Sequence, residues 1–459
     1  MERASFGAVA AFSVLSLGCH FGITQRAAAS RRRVAVPPST SLLNNGREFA
    51  RGSLLIVGII SSEQKTCRIA RFPPAYVIDR HRMLSKHLKN ASVCLVAIVV
   101  SALLLDLGLK AAAQIGWIEI DINPANGFWA DINPDFGVWH RSSASFTHEK
   151  SCFRVTYTTN SYGAIDKERS KRSVDRRVVV LGDSMMEGLT LKTSERLSNL
   201  LEGITGVEHM NFATSQTFGP IQYLLAYETL AKKFDHDVVL IGFLPENDFT
   251  DSNWEIGQKA FYNRYRPYFV GTGGNYKLVY FNEAYFDVPQ NDGWLDYLWN
   301  KTMTSRTTRR AYAVHRYQTV VDDQIVQAAE LLTKGIRSFY YDYDQSDQAI
   351  TRYTLSRLVR AADGRPVVIV TIPFKRDLLN LRDRGTPPLP AWFSQMSKDL
   401  GFTYVDLLPI LAASPSDWPS YYHECDHHWT AKANALVAKA LAPVMEQVLA
   451  TANARHNNH

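Results

Sequence analysis

Ser184 follows Gly182-Asp183 directly after the apolar, β-branched run Arg177–Leu181 (RVVVL). In an open parallel sheet, ligands bind outside the carboxyl ends of the strands, so a serine at that point stands where a reaction would occur. A hydroxyl is a weak nucleophile at neutral pH and needs a general base, normally a histidine held by a third group that fixes its tautomer. The sequence offers such a pair at Cys425-Asp426-His427-His428-Trp429-Thr430, between the last expected strand and the last expected helix. An aspartate two residues before a histidine, on a loop entering a helix, can set carboxylate and imidazole side by side. Alone, the pair reads more often as a helix N-cap beside a surface histidine. A third element is Pro245-Glu246-Asn247-Asp248, just after residues 238–244 (VVLIGFL). The Asn247 amide can serve with the Ser184 N–H as an oxyanion donor pair, although Asn and Asp are also ordinary turn residues. The conjunction of the three, each at the end of a different strand, carries more weight than any one of them.

These side chains need a scaffold, and the patterning supplies one. Strands are expected at residues 177–181, 207–212, 238–244, 366–372 and 402–407. Helical stretches are expected near 194–201, 221–233, 353–362 and 392–400, and from Thr430 to the C-terminus. Apolar strands alternating with amphipathic helices predict a parallel sheet covered on both faces. The alternation stops over about 250–345, a stretch dense in aromatic residues from Trp254 to Trp299, which reads as an insertion or cap of hairpins and short helices. Any one of those rings is most simply a core residue, while as a group they suggest a lined cleft. Residues 111–175 read as an irregular lead-in with one β-like stretch over 153–159.

The chain has 459 residues, 46% hydrophobic and 21% charged, which excludes disordered, collagen-like and polytopic membrane classes. Its net charge of +7 sits at the front: residues 1–110 hold 15 Lys and Arg against 5 Asp and Glu, leaving 36 against 39 for the rest. The large domain is therefore slightly acidic, and no nucleic-acid partner is implied. Residues 91–109 form a run whose only charge is Asp106; as a helix it would be about 28 Å long, one bilayer core. Arg80, Arg82, Lys86 and Lys89 precede it and Lys110 alone follows closely. The positive-inside rule then keeps the N-terminal flank in the cytoplasm and puts the large domain outside, with the run as an uncleaved anchor. Residues 1–82 contain a weaker signal-like run and an Arg31-Arg32-Arg33 linker. They read as a poorly structured extension, or as a start-site artefact ahead of a true start at Met83. Of five cysteines, none has metal-ligand spacing. Cys152 and Cys425 fall in the exported part, where a disulfide is chemically allowed, and the sequence leaves their pairing open. No glycine-rich phosphate loop follows any strand, against nucleotide binding.

The three blocks together resemble the SGNH/GDSL hydrolase superfamily, in particular its membrane-anchored bacterial branch of polysaccharide O-acetylesterase and alginate O-acetyltransferase-like proteins. Gly182-Asp183-Ser184 matches the first block, Pro245-Glu246-Asn247-Asp248 the third and Asp426-His427-His428-Trp429 the last, over about residues 176–445. The resemblance implies a flavodoxin-like three-layer α/β/α sandwich and ester hydrolysis through an acyl-enzyme, without metal or organic cofactor. It makes Ser184 the nucleophile, His428 the base, Asp426 its orienter and Asn247 an oxyanion donor. The acid usually stands three residues before the histidine, so the two-residue spacing here leaves His427 a competitor and His423 and Glu424 bystanders or substitutes. The oxyanion glycine of the second block aligns with Gln216, and Gly219, three residues on, is the glycine available for that role. The expected substrate is an O-acylated, chiefly O-acetylated, cell-envelope or extracellular polysaccharide. An acyltransferase using the same residues and a noncatalytic glycan-binding or assembly protein are the alternatives.

Overall fold

Five short strands assemble the centre of the molecule, the inner three of them aliphatic and largely β-branched. They are β1 (Arg177–Leu181), β2 (Glu208–Asn211), β3 (Val238–Phe243), β4 (Val367–Thr371) and β5 (Thr403–Asp406). All pair in parallel, in the spatial order β2-β1-β3-β4-β5, the flavodoxin-like doubly wound order. Every residue of β1, β3 and β4 is buried, which is why these strands read as continuous rather than alternating apolar runs. Helices Leu197–Thr205, Pro220–Thr229, Gln345–Ala361 and Leu389–Leu400 connect the strands. The C-terminal helix Ala431–His456 buries Ala433, Val437, Leu441 and Met445, spaced four apart on one face. The three-layer α/β sandwich expected from the alternation is the observed fold.

The computed structural model describes residues 75–123, 125, 127–260, 265–281, 298–299, 301–312, 315 and 337–456. The chain divides into Met1–Tyr76 and Val77–His459; the readings of residues 1–74 lie outside the described residues. The N-terminal helix runs over Ala75–Gln114, beginning ahead of Met83. Its segment Met83–Gln114 is long and apolar enough to cross a membrane, and Leu95, Ile98, Leu103 and Leu107 stand exposed along it.

The lead-in is more regular than its sequence suggests, and the described part of the insertion holds a hairpin of the kind expected there. The lead-in belongs to the same unit as the sheet and forms two antiparallel hairpins, Asp131–Asn133 with Gly137–Trp139 and Ser145–Lys150 with Phe153–Thr158. The second packs Phe146, Val155 and Tyr157 with Phe128 and Ile165 into a small core of its own. In the insertion, Arg266–Thr272 pairs with Asn275–Phe281. Gly273 and Gly274 sit between these strands at φ of 62° and 86°, the left-handed pair that a two-residue hairpin turn needs. Helix Lys375–Arg384, after β4, has no counterpart among the sequence expectations.

Candidate active site

β1 ends at Leu181, and the chain turns through Gly182 (φ 153°) into the short helix Ser184–Glu187. A Cβ on Gly182 would stand 2.4 Å from Met186 Cγ, so only glycine lets that side chain fold back beneath the turn. The Asp183 carboxylate accepts from the Met185 N–H at 3.0 Å, capping the helix and fixing the preceding turn. Burial pushes the Asp183 carboxyl up to about 6.

The loop between β5 and the last helix brings its pair to this point. Ser184 Oγ lies 2.8 Å from His428 Nε2, and His428 Nδ1 meets Asp426 Oδ1. The loop is held by backbone bonds, His427 N–H to His423 O and His423 N–H to His428 O, both 2.8 Å, and by a bridge between Tyr422 and Trp429. Burial favours the neutral form of both partners, but their mutual attraction wins: Asp426 is held far below the usual carboxylate range, with Lys150 adding to the effect, and His428 is raised. The spacing of two is thus sufficient. His427, at φ 68°, points outward and faces Glu119 at 3.8 Å. His423 packs against Phe153, and Glu424 is exposed. Of the five, Asp426 and His428 are the two brought to Ser184.

The oxyanion candidates are placed less simply. Asn247, on the first turn after β3, donates from Nδ2 to Asp183 Oδ2 at 3.1 Å, so its amide braces the nucleophile turn. Gly219 does not line the cleft beside Ser184. It is the N-cap of helix Pro220–Thr229, its N–H donates to Gln222 Oε1 at 3.2 Å, and a Cβ there would meet Asp251 Cβ at 2.8 Å. The residues of that loop lining the cleft are Ser215 and Gln216. Gln216 and Thr217 take φ of 73° and 65°, the left-handed region glycine favours. The turn expected of the second block is therefore made without its glycine. Behind it Thr214 Oγ1 meets His140 Nε2 at 3.0 Å, the same nitrogen lies 2.7 Å from Glu187 Oε1, and Trp129 Nε1 donates to that oxygen at 3.1 Å. This buried chain fixes the second-block loop to the nucleophile helix.

The cleft in front of Ser184 has a volume of about 400 Å³, and its walls include Trp129, Lys150, Gln216, Arg306 and Arg310. Several described aromatic rings of the insertion pack on one another or on a helix. Tyr265 stacks on Tyr280 at 5.4 Å, Trp254 packs on Tyr268 and Phe281, and Phe269 and Tyr276 pack on Tyr353. Among the described residues these rings form a core, not the lining of the cleft; Phe261, Tyr262, Tyr285, Phe286, Trp294 and Tyr297 lie outside the described residues. Sequence reasoning also missed Lys150, whose Nζ meets Asp426 Oδ2. The one available signal was Cys152, two residues on, which forms a disulfide with Cys425 beside Asp426, Cα to Cα 5.9 Å. Among the described residues, no group of three or more His, Cys, Asp or Glu is arranged to hold a metal ion.

No family model and no curated protein matches the sequence. Among solved structures, the chain is similar to a putative lipolytic protein of the G-D-S-L family from Desulfitobacterium hafniense, at 10% identity and TM-score 0.28, covering 59% of this chain and 99% of that one. It is also similar to a carbohydrate acetylesterase from Sinorhizobium meliloti, at 10% identity and TM-score 0.28, over 60% of this chain and 99% of that one. A third is a carbohydrate esterase family 2 enzyme with a carbohydrate-binding domain from Corynascus (Myceliophthora fergusii), at 13% identity and TM-score 0.30, over 62% and 69%. The strand order and the Ser184–His428–Asp426 contacts stand on this chain's own geometry. In its sequence blocks the chain resembles the GDSL and SGNH hydrolases, and solved members of that group are among the structures to which it is similar.

Proposed function

We propose that the protein is a membrane-anchored serine esterase that removes O-acyl groups, chiefly O-acetyl, from a polysaccharide outside the cytoplasm. The observation that carries this reading is the 2.8 Å contact of Ser184 Oγ with His428 Nε2, on an imidazole whose other nitrogen faces Asp426. In the reaction, Ser184 attacks the ester carbonyl as His428 takes its proton, and the imidazolium then protonates the departing sugar hydroxyl. The oxyanion is met by the Ser184 N–H and by the loop at Gln216, while Asn247 holds Asp183 and so the turn that aims Ser184. Water, activated by His428, releases the acid. The exposed apolar helix Met83–Gln114 and the Cys152–Cys425 disulfide support an anchored domain in an oxidising compartment. Arg306, Arg309 and Arg310 on the cleft wall favour a glycan that also carries carboxylate or phosphate groups.

The test is hydrolysis of p-nitrophenyl acetate and of acetylated glycans, acidic and neutral, by the full chain in detergent beside Ser184→Ala and His428→Ala. Acetate release lost in both variants supports the esterase. Acetyl transfer between glycans without release would replace it with a transferase, and activity surviving Ser184→Ala would overturn the site.

A further inference from the structure

Asp426 offers His428 one carboxylate oxygen. The other oxygen is taken by Lys150, a residue that belongs neither to the sheet nor to any of the three sequence blocks. Lys150 ends the strand Ser145–Lys150 and pairs with Phe153 across a turn that contains Cys152. The disulfide from Cys152 to Cys425 then ties that turn to the residue preceding Asp426, and the Cys152 N–H approaches Cys425 Sγ at 3.3 Å. The lysine is thus delivered by a covalent connection made two residues away. Its side chain is 13% exposed and that of Asp426 5%, so the contact lies in a poorly solvated place where a carboxylate needs its partners to stay charged.

We propose that Lys150 is a positioning residue of the Ser184 site, holding the Asp426 carboxylate in register with His428 through its second oxygen. The proposal rests on the esterase reading for its kinetic consequence, not for its geometry. Lys150 shares the charge of Asp426 that would otherwise act on His428 alone, and its own positive charge disfavours a second cation close by. Both effects oppose protonation of the imidazole and keep it available to accept the Ser184 proton. The other charged or titratable groups around this pair are Asp183 beneath His428, His423 beside it, Asp121 at 3.7 Å from Lys150, and His148, which meets Asp121 at 3.0 Å. Asp183 favours the imidazolium, as Asp426 does, and among these groups Lys150 is the cation that directly contacts the Asp426 carboxylate.

Full-length Lys150→Met and Lys150→Arg proteins in detergent test this in two ways. The first is the pH dependence of ethoxycarbonylation of His428 by diethyl pyrocarbonate, read by fragment-resolved peptide mass spectrometry, which needs no turnover. The second is the pH profile of p-nitrophenyl acetate hydrolysis. In Lys150→Met the His428 midpoint is expected to rise by about 1 pH unit, the acid limb of kcat/KM to move with it, and kcat at pH 7 to fall by about 10-fold with KM little changed. Lys150→Arg is expected to restore most of both. An unmoved His428 midpoint in a folded Lys150→Met protein would overturn the proposal and leave Lys150 a structural ion-pair partner. If the parent protein showed no Ser184-dependent hydrolysis, the esterase reading would fall, while the modification arm would still decide whether Lys150 governs His428.

Discussion

The carboxyl edge of the sheet and the hairpin Ser145–Thr158 make the site in opposite ways. The edge contributes the nucleophile from the end of a strand whose every residue is buried, beside a second such strand, so Ser184 and the Asn247-braced Asp183 are held by a rigid frame. The hairpin contributes no reacting atom. It surrounds them: Lys150 on Asp426, Cys152 on Cys425, and Tyr157, whose hydroxyl accepts from the Thr190 N–H at 2.8 Å just beyond the nucleophile helix. The nucleophile is fixed by local rules of a strand end, and the field around its base comes from a hairpin that lies far from the Asp426 loop in sequence, as the disulfide's separation of 273 residues shows.

The sharpest test of this division is at the edge. Ser184→Ala is expected to lower kcat by about 10⁴-fold or more, and His428→Ala comparably, whereas His427→Ala should leave steady-state rates nearly unchanged. Equal losses at His427 and His428 would break the assignment of the base.

The pH profile comes next. His428 must be neutral to act, and its partners hold it above the ordinary value of 6.5, so kcat/KM should fall as pH drops through a midpoint above 6.5. The linked stabilities carry opposite signs. The raised His428 contributes stability below its unfolded value, lost as pH rises through its folded one. The lowered Asp426 contributes stability above the ordinary carboxylate value, lost only far into acid. Titration of unfolding free energy against pH separates the two.

On the hairpin side, replacing both cysteines, Cys152→Ser with Cys425→Ser, should cost about 2–4 kcal/mol of stability in denaturant unfolding. It should lower kcat more than it raises KM, since the loop carrying Asp426 loses its tie. Arg310→Gln, at the exposed rim of the cleft, should raise KM for an acidic acetylated glycan by about 5-fold and leave p-nitrophenyl acetate untouched. The smallest effect is expected for Gln216→Gly: relief of a left-handed non-glycine backbone should raise stability by about 1 kcal/mol, measured as a higher midpoint in urea.

How far the sequence could be read follows from the same contrast. The three inner strands were legible because burial on both faces makes them apolar runs, the outer two less so, since Glu208–Asn211 and Thr403–Asp406 carry polar residues, and Ser184, Asp426 and His428 were legible because each follows an element end. The Gln216 turn was half legible: a glycine was expected, and Gly219 lay close by, but backbone conformation is not written in residue type when a larger side chain accepts positive φ. The lead-in was partly legible: the alternating run Phe153–Thr158 reads as a strand and is one, whereas Asp131–Asn133 and Gly137–Trp139 are three residues each, too short to show a period. Lys150 was invisible because nothing local distinguishes it from a surface lysine; its role depends on a partner at residue 426. The aromatic insertion misled for a related reason, since rings that pack on one another and rings that line a cleft look alike in sequence.

Asp106, the lone charge of the apolar run 91–109, ties the long helix to the wall of the cleft. Asp106 Oδ1 accepts from the Thr304 N–H at 3.0 Å and lies 3.3 Å from Thr304 Oγ1, so the membrane-length helix receives the start of the segment that carries Arg306 and Arg310. Ala113, Ile120, Ile122 and Met303 close over the same junction, and Ile120 also borders the cleft. The long apolar helix is therefore part of the cleft's construction, through Asp106 on Thr304 and through Ile120 at the cleft wall. On the proposed function, a fragment cut at Ala111 is expected to keep Ser184, His428 and Asp426 but to release the arginines from their seat, so that it still cleaves small esters and binds an acidic polymer more weakly than the full chain does.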